Sequence, residues 1–276
     1  MTPIENLSTI LHAHVNGIRL AYRAFGSGRP LLCLMGFSAS MDMWPRVMLE
    51  RLSRIRRVIL MDNRGIGHSS GGEEPYRFDD MALDSLALLD HLGFRETDIL
   101  GFSMGSDITL AMLRINPEPF RKVVLYAGGP GGDDEIIPDE RLRMVFRAVE
   151  GKTKARAAAM FRLMFPDEWL EEHGSPRECI PRLNKPVRQE AVKAQLQAVR
   201  SRPSEAPALQ RIRIPVQLIT GSEDLLTPPE NSRFMARLIP RSTLIEIQGA
   251  GHGLMYQYPD TFLKHVEDFL RAGALP

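Results

Sequence analysis

The stretch that decides the fold is Thr97–Asp98–Ile99–Leu100–Gly101–Phe102–Ser103–Met104–Gly105, followed by a helical pattern over 108–115. Residues 97–100 read as a buried strand, so Ser103 sits at a strand-to-helix turn. Glycines two before and two after it let the backbone and the helix approach without Cβ clashes. Such a turn lifts a hydroxyl out of a sheet. It also sets that hydroxyl at a helix N-terminus, whose positive dipole end and N–H suit a developing oxyanion. Ser103 is therefore a candidate nucleophile; the bland reading of the same residues is a glycine-rich turn.

Short, nearly continuous apolar runs lie at 31–35, 58–61, 99–101, 123–127 and 216–220. Runs of this kind suit strands buried on both faces of a parallel sheet. The more alternating 244–247 is the candidate last strand, and Asn16–Gly17 marks a hairpin turn within 14–18. Helical patterns fall between them, at 81–92, 108–115, 232–238 and 262–270. The rhythm predicts an α/β fold with a mostly parallel central sheet and helices on both faces.

That rhythm breaks over residues 133–207, which read as helices at 140–149, 154–163 and 188–201 with no strand run between them. The expected organisation is a core of residues 1–132 and 208–276 with 133–207 inserted as a helical cap. Residues 141–213 hold 16 Lys+Arg and 8 Asp+Glu, a surplus of +8, so the rest of the chain carries −7 of the net +1. One reading makes Arg141, Arg143, Arg147, Lys152, Lys154 and Arg156 the solvated faces of cap helices. The other makes them a docking face for an acidic acyl carrier protein or a coenzyme A ester.

Composition narrows the classes. A 276-residue chain that is 43% hydrophobic and 25% charged is globular, neither disordered nor fibrous. A net charge of +1 argues against whole-chain binding of nucleic acid. Cys33 and Cys179 cannot form a disulfide framework, which fits a reducing compartment. The first ten residues lack a basic patch before an apolar run, and no stretch has the roughly 18 apolar residues a membrane span needs. A cytoplasmic protein without a membrane span is expected.

A serine hydroxyl needs a base. His252 lies in Gly249–Ala250–Gly251–His252–Gly253, just past the last strand candidate, where a glycine loop aims an imidazole easily. Asp224 lies in Gly221–Ser222–Glu223–Asp224, past the strand at 216–220. Ser103, Asp224 and His252 would all stand at the carboxyl ends of strands, where ligand and catalytic groups gather in α/β sheets. Glu223 is the weaker acid, and Asp133 and Asp134 are the acids available after the preceding strand. His12 and His14 share a strand face, but no third ligand is near in sequence. Asp62 and Arg64 read as loop ties.

In order along the chain, Phe25–Gly26–Ser27–Gly28–Arg29–Pro30–Leu31, Asp62–Asn63–Arg64–Gly65–Ile66–Gly67–His68–Ser69, Gly101 to Gly105, Gly221 to Asp224 and Gly249 to Gly253 resemble the α/β-hydrolase superfamily over nearly its whole length. The resemblance implies Ser103 as nucleophile, His252 as general acid/base and Asp224 as its orienting partner. It also implies an oxyanion hole from the backbone N–H groups of Phe37 and Met104. The chain departs from the family here, reading Leu34–Met35–Gly36–Phe37–Ser38 where many members carry His-Gly; backbone donors do not depend on that side chain. Phe37, Trp44 and Met104 are the candidate substrate-binding residues. The expected activity is hydrolysis of a small carboxylic ester through an acyl-enzyme, with no metal and no cofactor. Other triad chemistry remains open: a lactonase, a carbon–carbon bond hydrolase, a cofactor-free perhydrolase, a carrier or coenzyme A thioester hydrolase, or a slow-turnover binding protein.

Overall fold

The computed structural model describes residues 9–71, 75–137, 161–176, 179–181, 185 and 187–273. Its strands are β1 (Leu11–Val15), β2 (Ile18–Gly26), β3 (Pro30–Leu34), β4 (Arg57–Met61), β5 (Thr97–Phe102), β6 (Phe120–Tyr126), β7 (Val216–Gly221) and β8 (Ser242–Ile247). The helices are α1 (Arg46–Ser53), α2 (Phe78–His91), α3 (Met104–Ile115), α4 (Asp167–His173), α5 (Gln189–Ser201), α6 (Ala206–Leu209), α7 (Pro229–Leu238), α8 (Leu254–Gln257) and α9 (Pro259–Arg271). The strands form one eight-stranded sheet in the order β1-β2-β4-β3-β5-β6-β7-β8. β1 and β2 pair antiparallel across a turn where Asn16 and Gly17 both take positive φ, 46° and 75°, as a two-residue hairpin requires. β2 pairs antiparallel with β4, and every later neighbouring pair is parallel.

The continuous apolar runs have a structural cause. Leu32 and Leu34 of β3, Ile59 and Met61 of β4, and Val123 and Leu125 of β6 belong to one buried layer, with Met81 and Leu88 of α2 and Ile108 and Met112 of α3. Their chain neighbours Leu31, Cys33, Val58, Leu60 and Val124 belong to the other, with Met48 and Leu52 of α1 and Phe262 and Val266 of α9. A strand covered on both faces has no polar side to alternate with. β8 lies at the sheet edge and is mostly half-buried, which is why its sequence alternates. β6 begins three residues before its apolar run, at Phe120 paired with Thr97 of β5, and it includes buried Lys122, whose Nζ donates to the Phe269 and Leu270 carbonyls at the end of α9 (2.7 and 2.9 Å).

Within 133–207 the expected helix at 188–201 is α5, and residues 161–164 are helical. The expected helix at 140–149, most of that at 154–163, and Arg141, Arg143, Arg147, Lys152, Lys154 and Arg156 lie outside the described residues. α5 is fastened to the core near both ends. Before it, the Arg188 guanidinium donates to the Gly65 carbonyl at 3.1 Å. After it, Arg202 forms ion pairs with Asp107 of α3 and with Glu135. Among the described residues no helix is long and apolar enough to cross a membrane, and no three His, Cys, Asp or Glu side chains are grouped to hold a metal ion.

Candidate active site

Four residues other than glycine take positive φ among the described residues: Asn16 in the hairpin, Ser38, Ser103 and Ala127. The last three follow β3, β5 and β6, so backbone strain collects at the carboxyl edge of the sheet, as it does where geometry serves function. Ser103 has φ 54° and ψ −123° between the end of β5 and the start of α3. The strain is held from both sides: its N–H donates to the Tyr126 carbonyl at 2.8 Å, and its own carbonyl accepts the Ser106 N–H at 2.8 Å. The flanking glycines are required by packing. A Cβ on Gly105 would collide with the Leu34 carbonyl of β3, and one on Gly101 would stand 2.5 Å from the Gly105 oxygen.

Asp224 follows β7 and is 2% exposed. Its Oδ1 accepts the backbone N–H groups of Leu226 and Thr227 at 2.9 and 2.8 Å, which fixes the carboxylate plane. Its Oδ2 lies 2.9 Å from Nδ1 of His252, which is itself 3% exposed. The loop carrying His252 is held by the Tyr126 hydroxyl, which donates to the His252 carbonyl at 2.5 Å and accepts the Met255 N–H at 3.2 Å. Burial pushes the Tyr126 hydroxyl well above the usual phenol range, so it stays a donor. The imidazole packs on the ring of Phe102, the residue before Ser103, with centroids 5.0 Å apart; Tyr126 stacks on the same ring at 4.7 Å. The structure thus brings the β5 turn and the Asp224–His252 pair together. Glu223, Asp133 and Asp134 are exposed, and Asp134 instead meets the Ser204 hydroxyl.

The loop after β3 lies on the β5 turn: a Cβ on Gly36 would stand 3.1 Å from the Ser103 Cβ. Phe37 follows directly, and Met104 is the first residue of α3, whose N–H has no partner within the helix. Neither N–H donates to a protein acceptor among the described residues. Of the candidate substrate-binding residues, Phe37 is half-buried, whereas the side chains of Trp44 and Met104 are 2% exposed in the two opposite layers of the core. Asp62 is a loop tie, its two oxygens accepting the N–H groups of Met41 (2.7 Å) and His68 (2.8 Å), while Arg64 pairs with buried Asp84 at 2.7 Å. His12 and His14 are exposed on edge strand β1.

A sequence model of the alpha/beta hydrolase fold matches residues 29–259. The chain belongs to the alpha/beta hydrolase family. It is 30% identical over 260 residues to 3-oxoadipate enol-lactonase 2 of Acinetobacter baylyi, covering 92% of this chain and 94% of that one. It is 25% identical over 257 residues to rhodomycin D methylesterase of Streptomyces peucetius, covering 82% and 85%. A thermophilic esterase from Thermogutta terrifontis superposes with a TM-score of 0.82 at 26% identity, covering 96% of this chain and 98% of that one. This alpha/beta hydrolase is an enzyme, and the relatives named above include an esterase, a methylesterase and an enol-lactonase.

Two participants in this alpha/beta hydrolase site escaped the sequence reading. Tyr126 looked like the end of an apolar strand, and nothing local shows that its hydroxyl reaches a loop 126 residues away. Gln195 lies 157 residues from Ser38, yet its Oε1 accepts the Ser38 N–H at 3.0 Å. One signal was present: Gln195 interrupts the apolar face that Ala191, Val192, Ala194 and Ala198 give to α5.

Proposed function

We propose that this chain is a serine carboxylesterase that cleaves a small carboxylic ester through an acyl-enzyme. The reading is carried by one observation: a buried aspartate–histidine pair is packed against the residue preceding a serine in strained backbone geometry. An ionised carboxylate can only accept, so Asp224 keeps the proton on Nδ1 of His252 and leaves Nε2 basic. Nε2 takes the Ser103 proton as Oγ attacks the ester carbon. The N–H groups of Phe37 and Met104 receive the oxyanion, usually the largest stabilising contribution in this chemistry. The alkoxide leaves as the alcohol with the proton from His252. Water then attacks the acyl-enzyme, gives its proton to His252, and the acid departs as Ser103 is reprotonated.

Residues 133–207 act as the cap over this site in our reading. Support comes from the Gly253 N–H donating to the Met164 carbonyl at 2.7 Å, next to His252, and from Gln195 reaching the loop that carries Phe37. Phe37, half-buried, would border the acyl group. A cyclic ester would open by the same steps, and the likeness to an enol-lactonase favours including lactones among the substrates. The test is a panel of p-nitrophenyl esters of increasing acyl length together with simple lactones, run on the wild type and Ser103→Ala. The proposal expects turnover of short esters and a loss of about 10⁶ in kcat for Ser103→Ala. Near wild-type turnover by that variant would remove Ser103 from the mechanism.

A further inference from the structure

The amino-terminal ends of the parallel strands, opposite the edge that carries Ser103, Asp224 and His252, gather positive charge. Arg29 precedes β3, Arg56 precedes β4, Arg121 and Lys122 open β6, Arg241 precedes β8, and Arg271 ends α9. All six line one cavity of about 660 Å³. Two of them are committed to the fold. Nζ of buried Lys122 donates to the Phe269, Leu270 and Ala272 carbonyls at 2.7, 2.9 and 2.5 Å. Arg56 donates to buried Asp98 at 2.8 Å and to the Leu270 carbonyl at 2.5 Å. Together they fasten the end of α9 as one wall of the cavity. The others reach solvent: the side chains of Arg29 and Arg121 are each 41% exposed, and Arg241 and Arg271 are exposed.

The acids nearby do not balance these cations. Among the described residues, Asp98 pairs with Arg29 and Arg56, and Glu96 pairs with Arg121. Asp268, near Arg271, is paired with Lys264 at 2.6 Å. Leaving Arg241 aside, five lining cations meet two carboxylates, an excess of +3 where the whole chain carries +1. Burial is the main cause holding the Lys122 ammonium below its ordinary value; Asp98 opposes it, and Arg56 and Arg29 add to it. Like charges crowded around a concave surface repel one another and favour an anion between them.

We propose that this cavity is a binding site for a small polyphosphorylated molecule, held chiefly by Arg29, Arg121 and Arg271. Arginine suits phosphate because its planar fork meets two oxygens at once. Three guanidinium groups that reach solvent around one cavity call for several phosphoryl groups rather than one. The volume falls within the roughly 300–1,000 Å³ of small-molecule sites, so the ligand is of nucleotide size. A concavity at strand ends suits such a molecule, whereas a duplex spreads its phosphates along an extended face.

The probe is tripolyphosphate, titrated calorimetrically into the full chain at constant ionic strength. Saturation near one equivalent is expected. Two double variants, Arg29→Gln with Arg271→Gln and Arg29→Gln with Arg121→Gln, should each raise Kd about tenfold or more, because charge-assisted hydrogen bonds are lost. Arg46→Gln with Arg95→Gln removes the same charge from side chains that are 75% and 79% exposed elsewhere, and should change Kd less than about twofold. Thermal melts without ligand check that the variants fold like the wild type. Binding that does not saturate, or equal weakening in all three double variants, would reduce the cavity to solvated surface charge and overturn the proposal. ATP should compete with tripolyphosphate. Tighter binding of a DNA duplex, or of vesicles of phosphatidylcholine and phosphatidylinositol bisphosphate, lost in the same variants, would refute the small-ligand assignment. Only binding is read, so failure here leaves the esterase reading untouched, and absent hydrolysis leaves this one untouched.

Discussion

Replacing Asp224 by Asn changes one atom in the site and asks whether tautomer control drives the reaction. The structure dictates how the amide would sit. Oδ1 already receives two backbone N–H groups, from Leu226 and Thr227, so the asparagine oxygen must stay there. Its NH2 group is then forced to the Oδ2 position, which at 2.9 Å is nearer to Nδ1 of His252 than Oδ1 at 3.1 Å. A donor there turns Nδ1 into an acceptor and moves the imidazole proton to Nε2, the nitrogen that takes the Ser103 proton in the proposed mechanism. Geometry and packing survive while the base is lost. The expected fall in kcat is about 10⁴, or about 5.5 kcal/mol of transition-state stabilisation, the size such a tautomer reversal has in serine triads. Initial rates on a short p-nitrophenyl ester give kcat, and a thermal melt confirms that the fold is retained. A folded Asp224→Asn enzyme within tenfold of wild type would refute the reasoning, because the pair would then have no control over the proton.

Gly36→Ala adds a methyl group 3.1 Å from the Ser103 Cβ and shifts the Phe37 N–H; kcat should drop about 10²-fold with KM little changed, as steady-state kinetics would show. Tyr126→Phe strips the partner from the Met255 N–H and the His252 carbonyl, and should cost about 2 kcal/mol in urea unfolding and roughly 5 °C in Tm. Burial, the main cause, pushes the Asp62 carboxyl above its ordinary value despite the N–H groups of His68 and Met41. Its folded value therefore exceeds its unfolded one of about 3.9, so its contribution to stability is complete below that pH and is lost as pH rises through the folded value. Urea midpoints from pH 3 to 6 should show Asp62→Asn gaining on the wild type as pH rises; a constant difference would count against the shift.

The sheet was legible wherever a strand is covered on both faces, because burial leaves a continuous apolar run in 31–35, 58–61 and 216–220. The glycine frame of Ser103 was legible for a local reason too, since Gly101 and Gly105 are demanded by contacts within their own turn and with the adjoining strand. Asp224 and His252 could be picked out by their position past strand ends, but not their mutual contact, which the register of β7 and β8 creates. Met104 shows the limit: it directly follows Ser103, yet its side chain is 2% exposed in the core, and no local pattern distinguishes a residue that turns its side chain inward from one that turns it toward the site. Gln195 was illegible for the complementary reason: its partner is supplied by a loop near the opposite end of the chain.

The most direct measurement is intact-mass and peptide mapping after brief exposure to a fluorophosphonate. The account predicts a single adduct on the tryptic peptide containing Ser103, formed rapidly by wild type and slowed by orders of magnitude in His252→Ala. An adduct on any other residue, or equal labelling of the two proteins, would contradict it.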